Sequence, residues 1–220
     1  MASIIVQATA NSGRIYSASD AYATVRAQTV GSATDVHMHL GMAYSNPNTR
    51  IYRCFGTFDL SALGPLDTII SATIDCKGQQ NNSDTDFVYG IYESTYGSID
   101  TGDFDNFPGW ETGVTQYTPT VWTDTLNTSA YIDNWGNILT FNGAGETAIQ
   151  AAFGSDFQFV MLSTEDINAS EPATDEYVIF SIGGADRPKL TIVYTPAGIA
   201  RSRVFGGLAD GSPLLRGLAT

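Results

Sequence analysis

The sequence predicts an all-β fold: an antiparallel two-sheet β-sandwich with one short crossover helix and an extended C-terminal tail. Three observations predict it. Thr, Tyr, Phe, Val and Ile recur along the 220 residues and 22 glycines punctuate them, a mixture that favours strands and tight turns. Apolar and polar residues alternate with period 2 in run after run. Hydrophobic residues make up 43% of the chain and charged ones only 15%, which supplies a core and argues against general disorder.

The elements follow in order. Ala2-Ser3-Ile4-Ile5-Val6 reads as a strand that starts at once, without the basic and long apolar segments of a secretory leader. Asp35–Leu40 sets Val36, Met38 and Leu40 on one face. Tyr52, Cys54, Gly56 and Phe58 alternate with Ile51, Arg53, Phe55 and Thr57. The run Ile69–Lys77 puts Ile70, Ala72, Ile74 and Cys76 on one side. Asp86–Glu93, Phe157–Ser163, Glu176–Ile182 and Lys189–Thr195 read the same way, with Gly, Pro, Asn or Asp clusters between runs. Gly145–Phe153 carries helix formers and then Gly154 as a stop, which fits a helical crossover. Asn81–Trp135 is polar and turn-rich, so long loops with a few short strands are expected there. No internal repeat suggests a solenoid or propeller. A sandwich filling residues 1–196 and a tail over 197–220 is the resulting division.

Charge narrows the partners. Twenty-three acidic residues against 10 basic ones leave a net −13. Such a surface repels phosphate backbones and anionic membranes, so neither a nucleic acid nor a membrane is expected as partner. No segment approaches the roughly 20 apolar residues of a membrane span. Cys54 and Cys76 sit among apolar neighbours in alternating runs. Buried free thiols are favoured over a disulfide, because free Cys is commonly buried and spacing alone does not place them in bonding range.

Three separated blocks resemble one family. The first is Arg50-Ile51-Tyr52-Arg53-Cys54-Phe55-Gly56-Thr57-Phe58-Asp59-Leu60-Ser61 with Ile69-Ile70-Ser71-Ala72-Thr73-Ile74, preceded by Asp20-Ala21-Tyr22 and Gly31-Ser32-Ala33-Thr34. The second is Glu146–Phe153, and the third Arg187-Pro188-Lys189-Leu190-Thr191-Ile192-Val193-Tyr194. Their order and spacing are similar to those of the DNRLRE (disaggregatase-related) family of carbohydrate-binding-module-like domains. The resemblance implies a jelly-roll sandwich and gives no active site. Its motif has a packing explanation: Phe58 and Leu60 face the core, Asp59 caps a turn, and Pro188 opens a strand where its missing N–H costs little. The family's tryptophan-rich middle is matched only loosely, by Trp110–Thr115 and Trp122.

Chemistry-bearing constellations are few. Asp35, His37 and His39 share a strand face, but the chain has two histidines only, one short of the three protein ligands usual in a catalytic metal site. A cupin-like start at Gly31 lacks the glutamate, since Ala43 and Tyr44 stand there. Acidic loops suit Ca²⁺ better, and Asp100, Asp103 and Asp105 are the candidate ligands of a structural Ca²⁺; no other cofactor is expected. Two further acidic groups, Asp84 with Asp86 and Glu165-Asp166 with Asp175-Glu176, lie in loops too. Trp110, Tyr117, Trp122, Tyr131 and Trp135 concentrate in the middle region and are the candidate carbohydrate-binding residues, rings being able to stack on sugars. Core packing and protein interfaces make the same demand on such residues. Neither a nucleophile elbow nor a P-loop is present, so a non-enzyme is expected.

The tail changes character. From Ala197 onward, Arg201, Arg203 and Arg216 face only Asp210, a net +2 that leaves −15 for the rest of the −13 chain. Val204, Phe205, Leu208, Leu214, Leu215 and Leu218 interleave with glycines. With Arg201 and Arg203 they are the candidate subunit-docking residues, since a basic-apolar arm on an acidic body suits strand addition or groove docking. Taken with the family resemblance, these features look like a homo-oligomeric virion protein of a tailed phage: a capsid decoration, head fibre or tail component that contacts other virion proteins. The alternative expectation is a free-standing carbohydrate-binding module, extracellular or on a cell surface.

Overall fold

The computed structural model describes residues 1–34, 37–45, 48–64, 67–110 and 117–197. Its strands are β1 (Ala2–Gln7), β2 (Gly13–Ser19), β3 (Ser32–Thr34), β4 (His37–Ser45), β5 (Asn48–Asp59), β6 (Thr68–Cys76), β7 (Gly78–Asn81), β8 (Val88–Glu93), β9 (Leu126–Asn127), β10 (Asn137–Thr140), β11 (Asp156–Ser163), β12 (Glu176–Ser181) and β13 (Lys189–Thr195). Helices α1 (Tyr22–Arg26), α2 (Gly143–Ala151) and α3 (Thr164–Asn168) are short.

The strands form two antiparallel sheets. The smaller runs β1-β13-β6-β10, and the larger runs β7-β12-β4-β5-β11-β8-β9 with β2 on β5 and β3 on β2. The expected all-β sandwich is therefore what the chain forms. β5 organises the larger sheet. Tyr52 pairs with both Tyr16 of β2 and Gly41 of β4, while Cys54 pairs with both Arg14 of β2 and Met161 of β11. A strand has two edges, so β4 and β11 share one edge of β5 end to end and β2 takes the other. Arg53 lies at the handover.

Two cores result. The first fills the space between the sheets with Met38, Leu40, Cys54, Phe58, Ile74, Phe159, Phe180, Leu190 and Ile192. Cys54 and Cys76 are both buried there as free thiols, and burial pushes both thiol pKa values up. The second core lies on the other side of the larger sheet, where Ile15, Val25, Met42, Ile51, Phe55, Phe104, Val160 and Leu162 pack. Its cover is α1, α3 and the 3₁₀ turn Thr101–Phe104, the last of which comes from the polar middle region. β5 is thus buried on both faces along most of its length, which removes the polar half of the alternation.

The family-like block behaves as its packing explanation requires. Phe58 and Leu60 are fully buried, and Asp59 Oδ1 accepts a hydrogen bond from Ser61 N at 2.9 Å. The crossover helix is α2: the Asn142 side chain caps it by accepting from the backbone N–H groups of Ala144 and Gly145, and Gly154, at φ +85°, follows its last turn. Where one helix was expected, α1 and α3 are added. Each has five residues, too few for a periodic pattern to show, and tertiary contacts rather than propensity hold them.

Candidate functional site

Four neighbouring strands of the larger sheet bring seven side chains together: Arg14 and Tyr16 from β2, His37 and His39 from β4, Arg50 and Tyr52 from β5, and Tyr177 from β12. Register groups Tyr16 with Tyr52, because directly paired residues project from one face. Tyr16 pairs with Tyr52, and Gly41 pairs with both Tyr52 and Tyr177. Gly41 adopts φ +109°, and a Cβ there would collide with the Glu176 carbonyl oxygen. The Tyr52 and Tyr177 rings on either side of Gly41 lie with their centroids 5.6 Å apart. His39 stacks on Tyr177 at 5.9 Å and lies 5.2 Å from Tyr52, with His37 6.2 Å from His39. The Arg14 guanidinium sits 5.5 Å from the Tyr52 ring and 5.7 Å from Tyr16.

The electrostatics of this face are unusual for so acidic a chain. Nε and Nη1 of Arg14, Nδ1 of His37 and Nδ1 of His39 are all buried without a hydrogen-bond partner. Burial, then the charge of Arg14 and then His37, push the His39 pKa down to about 3, so the imidazole is neutral at pH 7. Arg50 is exposed, and the neighbouring Tyr52 side chain raises its pKa. The nearby Asp175 is occupied, its Oδ1 accepting from Tyr44 N at 2.7 Å. Beside Tyr16 and Arg50 a cleft of about 360 Å³ opens, with Gln28 and Ser32 on its walls. Rings, cations and a cleft in one place can hold a ligand that offers both an apolar face and negative charge.

On the opposite face of the sheet, Arg53 is fully buried and paired. Its Nε and Nη2 donate to the two carboxylate oxygens of Asp166 at 2.7 and 3.0 Å, and Nη1 donates to the Phe104 carbonyl at 2.5 Å. The guanidinium lies 4.0 Å from the Trp110 ring and 4.1 Å from Phe104. Arg26 donates from Nε and Nη2 to the Asp166 and Ile167 carbonyls and stacks 3.8 Å from the Tyr117 ring. With every Arg53 nitrogen satisfied and no exposure, this cluster ties α1, α3 and the 3₁₀ turn onto β5.

The five aromatic residues named from sequence are not gathered on one surface. Trp110 and Tyr117 pack together at 3.8 Å in the second core. Trp122 is buried in the first core, stacked on Phe157, and borders a separate cleft of about 260 Å³ with Ser94, Asp156 and Gln158. The Tyr131 hydroxyl donates to the Ile179 carbonyl and accepts from the backbone N–H groups of Gln79 and Gln80. Trp135 carries the Lys189 ammonium 3.6 Å above its ring.

The aspartates are engaged in the backbone. Asp100 caps the 3₁₀ turn by accepting from Gly102 N, and Asp103 accepts from Asp100 N in return. Asp103 and Asp105 both have pKa values raised first by burial. Among the described residues no three His, Cys, Asp or Glu side chains are grouped as a metal ion requires. Asp35, part of the histidine expectation, lies outside the described residues, as do the docking residues Arg201, Arg203, Val204, Phe205, Leu208, Leu214, Leu215 and Leu218.

Sequence reasoning missed Arg14, Tyr16, Arg50, Tyr52 and Tyr177. Arg14 and Tyr16, like Arg50 and Tyr52, are two apart on a strand, the spacing of one face, and that signal was available. Which strands stand side by side was not. No family model matches the chain, and no curated protein matches it at a significant level.

Proposed function

We propose that this chain is a non-enzymatic structural or adhesive component of a tailed-phage particle, a carbohydrate-binding-module-like sandwich fastened to its neighbours through residues 197–220. The observation that carries this reading is the split in the chain. An acidic sandwich closes when β13 pairs between β1 and β6, and the basic, leucine-rich segment follows directly. A charge-complementary apolar arm beside a finished fold serves association better than packing within that fold. The test compares the full chain with a variant ending at Ala197. The shortened protein is expected to keep its β-sheet circular-dichroism signal and cooperative melting while losing self-association in light scattering and incorporation into particles. Normal incorporation without the arm would refute the reading.

A second reading, a free-standing carbohydrate-binding module, is favoured by the Tyr16–Tyr52–Tyr177 face and its cleft. A glycan array with the full chain tests it. Binding that disappears in Tyr16→Ala and Tyr177→Ala supports a glycan-contacting role for this face; no binding to any glycan removes it. No helix among the described residues is long and apolar enough to cross a membrane.

A further inference from the structure

We propose that Arg14, His37 and His39 form an oxyanion-binding centre, taking a sulfate or carboxylate group whose carrier lies along Tyr16 into the adjoining cleft. The inference deepens the glycan reading and rests on it only for the identity of the carrier.

The case begins with where the positive charge goes. Arg53 and Arg26 are turned onto Asp166, Lys77 is 2.8 Å from Asp186, Lys189 covers Trp135, and Arg187 donates to the Ile182 carbonyl. Arg14, unlike these arginines, has neither a carboxylate nor a carbonyl partner among the described residues; it lies against the Tyr52 ring, which His39 also contacts, and its charge is felt at His39. Its Nε and Nη1 are sealed against tyrosine rings without an acceptor, and each histidine carries a buried Nδ1 in the same condition. Leaving such groups unsatisfied costs free energy that a folded chain ordinarily avoids. The outer nitrogens, Arg14 Nη2 and Nε2 of both imidazoles, are neither buried nor bonded among the described residues, so they are the atoms open to an incoming acceptor.

An oxyanion binds at these outer nitrogens, where the charge of Arg14 has no ion-pair partner among the described residues. It accepts a charge-assisted hydrogen bond from Nη2 and further hydrogen bonds from imidazole N–H groups, and it offsets the field that Arg14 exerts on His39. Groups packed around His39 from each element are Arg14 and Tyr16 on β2, His37 on β4, Arg50 and Tyr52 on β5 and Tyr177 on β12; among the described residues Asp175 is a nearby carboxylate, and its Oδ1 accepts from Tyr44 N. Because His39 is held neutral by burial and by Arg14, an anion beside it returns its pKa toward the ordinary value. Binding therefore takes up protons, and affinity rises as the pH is lowered.

The experiment titrates the full-length protein with sodium sulfate at constant ionic strength set by sodium chloride, following the ring signals of His37 and His39 by NMR. Expected are saturable shifts of both rings, an upward move of the His39 titration midpoint, and tighter binding at pH 5.5 than at pH 7.5. Arg14→Gln should weaken binding by about tenfold or more, and Lys189→Gln should leave it unchanged. His37→Gln serves as a second probe if Arg14→Gln folds poorly. Glucuronate and glucose identify the carrier. Glucuronate binding more tightly than sulfate supports both the centre and the glycan reading; sulfate binding with no gain from glucuronate supports the centre and counts against that reading. Absence of any saturable response to sulfate or glucuronate overturns the proposal. So does sugar binding indifferent to Arg14→Gln, which leaves the glycan reading standing.

Discussion

Arg14 and Arg53 lie on adjacent strands, and the register that pairs Arg14 with Cys54 pairs Arg53 with Ile15. Their side chains therefore leave the sheet on opposite faces. Arg53 meets a carboxylate held by α3, a carbonyl from the 3₁₀ turn and two aromatic rings, and no polar atom of it is left over. Arg14 meets the Tyr16 and Tyr52 rings, with the neutral His39 beside Tyr52, and two of its nitrogens are buried and unbonded. The same residue type thus performs two tasks. On one face a buried charge fixes the arrangement of loops; on the other a charge is left uncommitted where a ligand can reach it.

The sharpest way to break the comparison is to disarm the paired face. Asp166→Ala strands Arg53 and Arg26 in a dry interior, and breaking a buried pair by removing one partner costs about 3–5 kcal/mol. Urea denaturation should show that loss, together with faster proteolysis around the 3₁₀ turn Thr101–Phe104. A cost near that of a surface substitution would mean that water already reaches Arg53, and the two faces would no longer differ in kind.

How much of this was legible from sequence follows from the same pair. Strand alternation locates β6, β11, β12 and β13 to within a residue and β5 to within about three, because each has at least one buried face. β2 was passed over although Ile15 is fully buried: the residues beside it, Gly13, Arg14, Tyr16 and Ser17, look like a polar turn until their partners are known. Likewise Asp166 read as one more acid in a loop, and Arg53 as one more position in an alternating run. Pairing across 113 residues is set by topology, which local pattern does not encode. Trp110 and Tyr117 have rings able to hold a flat partner, and within the chain they hold the guanidinium groups of Arg53 and Arg26.

A second test concerns how the open face is shaped. Gly41→Ala forces a Cβ toward the Glu176 carbonyl at a positive φ, and a strained residue of this kind costs about 1–3 kcal/mol. The substitution should also separate Tyr52 from Tyr177 and alter the His39 NMR environment. An unperturbed His39 signal at reduced stability would show that Gly41 serves the hairpin and not the face.

Arg14→Leu is expected to change stability by less than about 1 kcal/mol. Lost cation–π contact with Tyr16 and Tyr52 is offset by removal of two buried nitrogens that lack acceptors. Equal costs for Arg14→Leu and Asp166→Ala would erase the distinction between a structural and an uncommitted arginine.

The smallest expected effect is a pH slope, and it isolates the open face by itself. His39 has a folded pKa near 3 against 6.5 for the ordinary side chain. Between those values the unfolded chain holds a proton that the folded one lacks, so this group's contribution to stability is intact above pH 6.5 and declines as the pH falls toward 3. Glu165, Glu176, Asp103 and Asp105 act in the other sense, since burial raises their pKa values and the fold binds their protons first. His39→Gln leaves those carboxylates in place, so the difference between parent and variant reports the histidine. Partial solvent access screens it, and at pH 5 a difference below about 1 kcal/mol is expected. Urea midpoints measured from pH 7.5 to 4.5 should diverge, the parent losing more as the pH falls. Sulfate should narrow the gap, because an anion beside Arg14 lets His39 take its proton within the fold. Parallel curves with and without sulfate would mean that His39 titrates normally and that Arg14 exerts no field on it.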